Sequence, residues 1–268
     1  MPQPMSSDSH SHALSRECSG YWWKDYFDAP TIALYRELLP SALAELEAQT
    51  IRDILQLPVG ARVLDVCCGY GRHLIPLVRK GYCMTGVDIS SIALQETKWL
   101  AQNEGFKINL ARADMRALPC VSYYDAAILM FNSFGIFDEC DNKICLLSIH
   151  RALKSGGIFL LETPNRSYVE ALYDNDVRHE VFEGHELEMH VFTRLDHSTN
   201  FLRQEIRWRN GFGEYSKSHA FRMYTMSEIE QLLLECGFNS LRFYAGLLGE
   251  QDEKPDSKIV VRGIVSPH

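Results

Sequence analysis

The sequence predicts an α/β fold: a doubly wound, mostly parallel seven-stranded sheet, with an antiparallel β insertion after strand five and an N-terminal helical segment. Three observations predict it. Between residues 61 and 162, short apolar runs alternate with amphipathic segments, the change of period expected of a βαβ series. After residue 163 the pattern becomes period-two alternation broken by the turn formers DHSTN and NGFG, which predicts antiparallel strands. Residues 21–57 are apolar along one side at helical spacing.

In chain order, ARVLDV (61–66) is short and apolar enough for a buried parallel strand. CCGYG turns the chain, and RHLIPLVRK is helical with Pro76 tolerated in its first turn. Gly81 follows as a C-terminal cap. YCMTGV (82–87) is the second strand, and Ser90 or Ser91 caps the helix carrying Ile92, Leu94, Trp99 and Leu100, which ends at Gly105. FKINLA leads to Asp114, AAILM (126–130) is the fourth strand, KICLLSIHRALK is an amphipathic helix and GIFLLE (157–162) the fifth strand. HVFTRLDH, FLRQEIRWR and EYSKSHAFRMYT read as the inserted strands. Ser227 and Glu230 form a capping-box pattern for a helix ending at Gly237, and LRFY and KIVVRGIV close the sheet. The expected organisation is a disordered tail at 1–15, a helical lid or core segment at 16–58, and one domain at 59–268 with its insertion at about 181–225.

A net charge of −8 argues against a phosphate backbone as partner, since such binding rests on Lys and Arg. No apolar run reaches the ~18 residues of a membrane span. Eight scattered cysteines lack CxxC-type spacing and no secretory segment precedes them, so free thiols, a cytoplasmic location and no metal site are expected. His10 and His12 belong to the expected loose tail. His185 and His190, among Glu183, Glu186 and Glu188, read as a solvated strand face and not as ligands.

Ligands of parallel α/β sheets gather beyond the carboxyl ends of the strands, where Cys67, Cys68, Gly69, Tyr70 and Gly71 stand after strand one. Glycines there let a ligand approach the backbone, and the next helix N-terminus offers free N–H groups. Asp88 ends strand two where an acid accepts from both ribose hydroxyls. Together these features select an adenosyl ligand. GxGxxG is missing, and Asp65 beside the turn would repel a pyrophosphate, which disfavours an NAD-dependent oxidoreductase.

With these motifs the sequence resembles the class I S-adenosylmethionine (SAM)-dependent methyltransferases, over about residues 61–162 and more loosely to 265. VLDVCCGYGRH resembles the family's first motif, GVDIS the second, ARADMRALP the third, YYDAAILMFNSFG the fourth, and LKSGGIFLLE the glycine turn before strand five. The resemblance implies SAM as cofactor. It sets Asp65 against the methionine ammonium, Cys67, Gly69 and Gly71 under the cofactor, Asp88 with Ile89 at the ribose, and Asp114 at the adenine amino group. Met115 would pack near the ring and Phe131 beside the cofactor. Cys67 departs from the family's usual first glycine; with Cys68 it reads as a small buried residue in preference to a redox pair.

Arg72 either reaches the methionine carboxylate or starts the helix at the surface. Tyr21 and Tyr26 are lid candidates, while Trp22 and Trp23 read as core. Asn132, Ser133, Glu162 and Asn165 follow strand ends and are substrate candidates, joined by Arg222 and Tyr224, which share a face of the last inserted strand. No catalytic base is singled out; Glu162, His185, His190 and Tyr224 qualify by type. The expected activity is methylation of a small-molecule N, O or C nucleophile. An RNA or protein methyltransferase and a non-catalytic SAM-binding regulator are the rival readings. The insertion would cover the substrate or, as an antiparallel edge, form a homodimer.

Overall fold

The computed structural model describes residues 21–172, 177–184, 187–248 and 257–266. The expected tail, with His10 and His12, lies outside them, as does His185. The chain opens on a short 3-10 turn, Trp22–Lys24, followed by α1 (Ala29–Leu38) and α2 (Ser41–Leu55). The α/β core then runs β1 (Arg62–Val66), α3 (Leu74–Arg79), β2 (Cys83–Asp88), α4 (Ser91–Asn103), β3 (Asn109–Arg112), β4 (Tyr124–Leu129), α5 (Glu139–Ala152) and β5 (Leu153–Pro164). Pro76 is the third residue of α3, within the first turn, where it breaks no intrahelical bond. Ser90 caps α4 by accepting from Ala93 N.

After α6 (Arg166–Leu172) the insertion forms a separate antiparallel sheet of four strands: β6 (Arg178–Glu183), β7 (Glu188–Asp196), β8 (Phe201–Asn210) and β9 (Gly213–Arg222). It thus starts earlier than expected and has one strand more than the alternation suggested. α7 (Met226–Glu235), β10 (Phe238–Tyr244) and β11 (Lys258–Val265) complete the chain. The capping box of α7 is Thr225 with Glu228, not Ser227 with Glu230, because Met226 already belongs to the helix. The main sheet has the order β10-β11-β5-β4-β1-β2-β3, with β11 antiparallel to both its neighbours. Apolar clusters fill both of its faces, one around Phe159 and Phe238, the other around Ile51 and Leu74. Among the described residues no helix is long and apolar enough to cross a membrane.

The inserted sheet is a roof tied to the rest of the chain at its neck, on its inner face and at the end of β9. At its neck, Arg166 N donates to Tyr224 O at 2.9 Å, so its two ends leave the core side by side. On its inner face Trp208, Met189 and Val191 pack against Leu34 of α1. After β4, Gly135 meets the end of β9: Arg222 N donates to Gly135 O at 2.7 Å, and a Cβ on Gly135 (φ 93°) would lie 2.4 Å from Arg222 O. Gly135→Ala is therefore expected to lower stability by roughly 2–4 kcal/mol, combining left-handed strain with a backbone clash. Gly156→Ala is the control, since Gly156 is also left-handed (φ 73°) but open on all sides; it should cost only about 1–2 kcal/mol. Equal losses in urea denaturation would reject close docking at Gly135.

Candidate functional site

β1 delivers Asp65 to the carboxyl edge of the sheet, and the following turn bends through three left-handed residues: Cys67 (φ 58°), Gly69 (φ 54°) and Gly71 (φ 85°). A Cβ on Gly71 would lie 2.9 Å from Thr97 Cγ2, so space as well as conformation requires glycine. One on Gly69 would meet nothing within 4 Å, which leaves that face of the turn open to a ligand. Cys67 takes the left-handed conformation despite its side chain, a strain of roughly 1–2 kcal/mol. Its Sγ lies 3.5 Å from Met115 Sδ, and burial pushes its thiol well up.

Asp88 at the end of β2 holds the turn. Its Oδ2 accepts from Gly69 N and its Oδ1 from Ser90 N, both at 2.8 Å. Thr97 adds a bond from Oγ1 to Gly69 O at 2.9 Å. Each Asp88 oxygen keeps further acceptor capacity, and Asp88 and Ile89 both line the main cavity. Ribose hydroxyls fit there.

Asp65 is 3% exposed and its Oδ2 has no hydrogen-bond partner. Burial, with a smaller contribution from the charge of Asp88, raises its carboxyl well above the ordinary range. Because the folded value lies above the unfolded one, Asp65 lowers stability as the pH rises from the ordinary carboxylate range through the folded value. A cation beside it would recover that loss. Asp65, Gly69 and Arg72 line one hollow of about 50 Å³. Arg72 is a buried wall of it and does not start α3 at the surface: it pairs with Glu47 of α2 at 2.5 Å and stacks over Phe131 at 5.1 Å. Its Nε is buried without a hydrogen-bond partner. An ammonium beside Asp65 and a carboxylate beside Arg72 match the amino-acid end of SAM.

The cavity that joins this edge to the inserted sheet, about 260 Å³, is the main one of the site; a larger one of about 520 Å³ lies beyond Trp22 and Trp23. Cys67, Asp88 and Ile89 form one end, and Gln204, Ile206, His219 and Phe221 the other. Trp22, Trp23, Tyr26, Phe27 and Tyr35 wall it on the N-terminal side. Lys217 ties that wall to β9, donating to Asp25 O at 2.8 Å and pairing with Asp28 at 2.7 Å. Phe131 (φ 55°) and Asn132 (φ 60°) continue β4 in left-handed conformations, and Phe131, Asn132 and Ser133 line the cavity.

Four expected substrate residues stand elsewhere. Glu162 is buried behind the cavity, where it accepts from Phe131 N at 3.0 Å and pairs with Lys258; it buttresses the strained turn. Asn165 bridges Tyr224 at the neck, and its side chain accepts from Ser167 N. Arg222 bonds Glu139 and Glu228, and the Tyr224 hydroxyl accepts from Asn142 Nδ2 at 3.1 Å. None of the four is among the residues lining the cavity.

Asp114 caps the turn Met115–Ala117 and is occupied by Arg116, while Met115 is buried beside Cys67. Tyr21 is 65% exposed and outside the cavity, whereas Tyr26 lines it. Trp22 and Trp23, expected as core, line it too, although Trp23 also packs edge-on against Phe137. His190 is hydrogen-bonded to His179 and Glu188 within the insertion. Among the described residues, no group of three His, Cys, Asp or Glu side chains comes together as a metal site. Sequence reasoning missed Phe27, Gln204, Ile206, His219 and Phe221; period-two counting along β8 and β9 would have found the last four.

A family model described as "Methyltransferase domain" matches residues 63–157, the stretch that carries Asp65, the turn, Asp88 and Phe131. A protein of Geobacillus sp. strain WCH70, named only as a methyltransferase, is 20% identical over 254 residues, 92% of this chain and 98% of that one. A SAM-dependent methyltransferase from Clostridium acetobutylicum has the same fold, with a TM-score of 0.76 at 19% identity over 89% of this chain and 98% of that one. So has CalS10 of Micromonospora echinaspora, an amino pentose methyltransferase solved with SAM bound, with a TM-score of 0.69 at 19% identity over 90% and 98%. Residues 63–157 thus match a methyltransferase domain, in a chain that has the fold of solved SAM-dependent methyltransferases.

Proposed function

We propose that the protein transfers a methyl group from SAM to a small, uncharged molecule with an apolar body, held between the sheet edge and the inserted roof. One observation carries this reading: the cavity runs from the cofactor turn to the roof, and of its described lining residues Asp88 alone is charged at neutral pH. A carboxylate or phosphate on the acceptor would find no cation there, and its desolvation would go uncompensated. Aromatic rings from the N-terminal segment offer apolar contact instead. The fold neighbour CalS10, an amino pentose methyltransferase, supports the small-molecule class. An RNA substrate is disfavoured by the net charge of −8 and by the pairing of Arg207 with Glu205 and of Arg209 with Glu188 and Glu214, which leaves Arg194 and Arg203 as the cations of that face of the roof without an ion pair among the described residues.

Bound SAM supplies a methyl carbon activated by its sulfonium. The chain's contribution is positioning, since an in-line displacement needs nucleophile and carbon in near-attack contact more than covalent help. In this reading Asp65 holds the ammonium, Arg72 the carboxylate and Asp88 the ribose. Phe131 and Cys67 border the passage between the hollow and the main cavity, both of which they line. The roof and the aromatic wall exclude water, which keeps the donor for the acceptor.

Asp88→Ala should weaken SAM binding by roughly 1.5–3 kcal/mol, the scale of hydrogen bonds to a charged group. Calorimetry on folded variant checks it, and unchanged affinity would remove Asp88 from the site. Incubation of the protein with SAM and fractionated metabolites should add one methyl group to a neutral compound, detected by mass spectrometry. Methylation confined to anionic metabolites, RNA or protein would refute the assigned acceptor class.

A further inference from the structure

Thr193 on β7, Gln204 on β8 and His219 on β9 are successive cross-strand partners. Gln204 Nε2 donates to Thr193 Oγ1 at 3.0 Å, which leaves Gln204 Oε1 against His219 Nε2, also at 3.0 Å. With the Gln204 amide in this orientation its carbonyl oxygen only accepts, which sets the imidazole proton on Nε2 and leaves Nδ1 as a bare acceptor. Nδ1 is buried without a partner, and His219, 8% exposed, lines the main cavity. Asn132 Oδ1, on the sheet-edge side of the same cavity, is a second buried acceptor without a partner. Two unmatched acceptors in one apolar chamber call for a ligand that donates.

The surroundings keep the imidazole uncharged. Trp22, Tyr26 and Phe221 pack their rings against it, and the titratable group among them, Tyr26, shares its hydroxyl with Tyr35 at 3.1 Å. Across the cavity stands the carboxylate of Asp88, occupied by backbone N–H groups. Burial pushes His219 down to about 4.

We propose that His219 Nδ1 is the specificity contact for the methyl acceptor. It receives a hydrogen bond from a hydroxyl or neutral N–H on an apolar molecule, and Gln204 with Thr193 positions it by fixing the tautomer. The proposal rests on the small-molecule reading above and adds the chemistry the acceptor must present. A core histidine would have both nitrogens satisfied; this one has a single nitrogen satisfied and a cavity beside the ring.

The test compares phenol, which donates, with anisole, which does not, on protein loaded with S-adenosylhomocysteine, using ligand-observed NMR. Phenol should bind roughly tenfold more tightly, the penalty for leaving a buried acceptor unmatched. In His219→Phe the preference should vanish while S-adenosylhomocysteine affinity stays unchanged. Equal affinity in the unaltered protein would overturn the role of His219 and leave the small-molecule reading standing. No binding of either probe would overturn both. Nitrogen-15 NMR of the unaltered protein gives a readout that depends on no variant: a fixed Nε2–H tautomer at neutral pH is expected, and an Nδ1–H or averaged tautomer overturns the relay. Gln204→Met should release the tautomer and reduce the preference for phenol.

Discussion

Between Cys67 and Gly71 the backbone bends through three left-handed residues, and that bend decides where the remaining groups stand. Because it passes beneath an open face at Gly69, β1 can present Asp65 to a ligand without a loop intervening. Asp88, Ser90 and Thr97 fix the bend from the neighbouring strand and helix, so the glycine turn and the carboxylate of Asp88 form one hydrogen-bonded unit. Glycine at two of the three positions makes the bend inexpensive. Cysteine at the first retains strain, and its Sγ rests near Met115.

The second half of the site is built by a different kind of structure. A parallel sheet leaves its carboxyl edge open, and the inserted sheet closes it through the Gly135–Arg222 contact, the Lys217–Asp28 pair and the packing of Trp208 near Leu34. Even-numbered residues of β8, from Leu202 to Trp208, share the face toward the site; odd-numbered Arg203, Glu205, Arg207 and Arg209 share the other, where Arg203 borders a second cavity with Trp22 and Trp23. The same alternation therefore separates the apolar roof from a charged face that is itself partly covered, at Phe192 and Ala220. Sequence-distant pieces, the N-terminal aromatics and β9, meet in this chamber.

The parallel core was legible because its signals are local: apolar runs, the glycine turn, Asp65 and Asp88 at strand ends, and Ser90 as a cap. The roof was legible as antiparallel β structure but not in detail. Choosing Arg222 and Tyr224 selected the opposite parity from His219 and Phe221, and a one-residue change of parity moves a side chain to the other face. Glu162 was placed correctly at a strand end, but no local signal shows that its carboxylate is consumed by Phe131 N and Lys258. Trp22 and Trp23 read as core because an aromatic packed on a cavity and one packed in a core have the same composition and spacing; only the tertiary position of β9 distinguishes them.

In the proposed function the central electrostatic pairing sets the buried carboxylate of Asp65, whose Oδ2 has no hydrogen-bond partner, against the ammonium of SAM. Burial raises this carboxyl in the free protein, and a bound cation must lower it again. SAM binding should consequently release protons, most strongly between the ordinary carboxylate range and the raised value, and the release should disappear in Asp65→Asn. Calorimetric titration in buffers of different ionisation enthalpy measures that linkage directly. Proton release that depends on Asp65 is the expected result; no exchange, or proton uptake, would contradict the pairing.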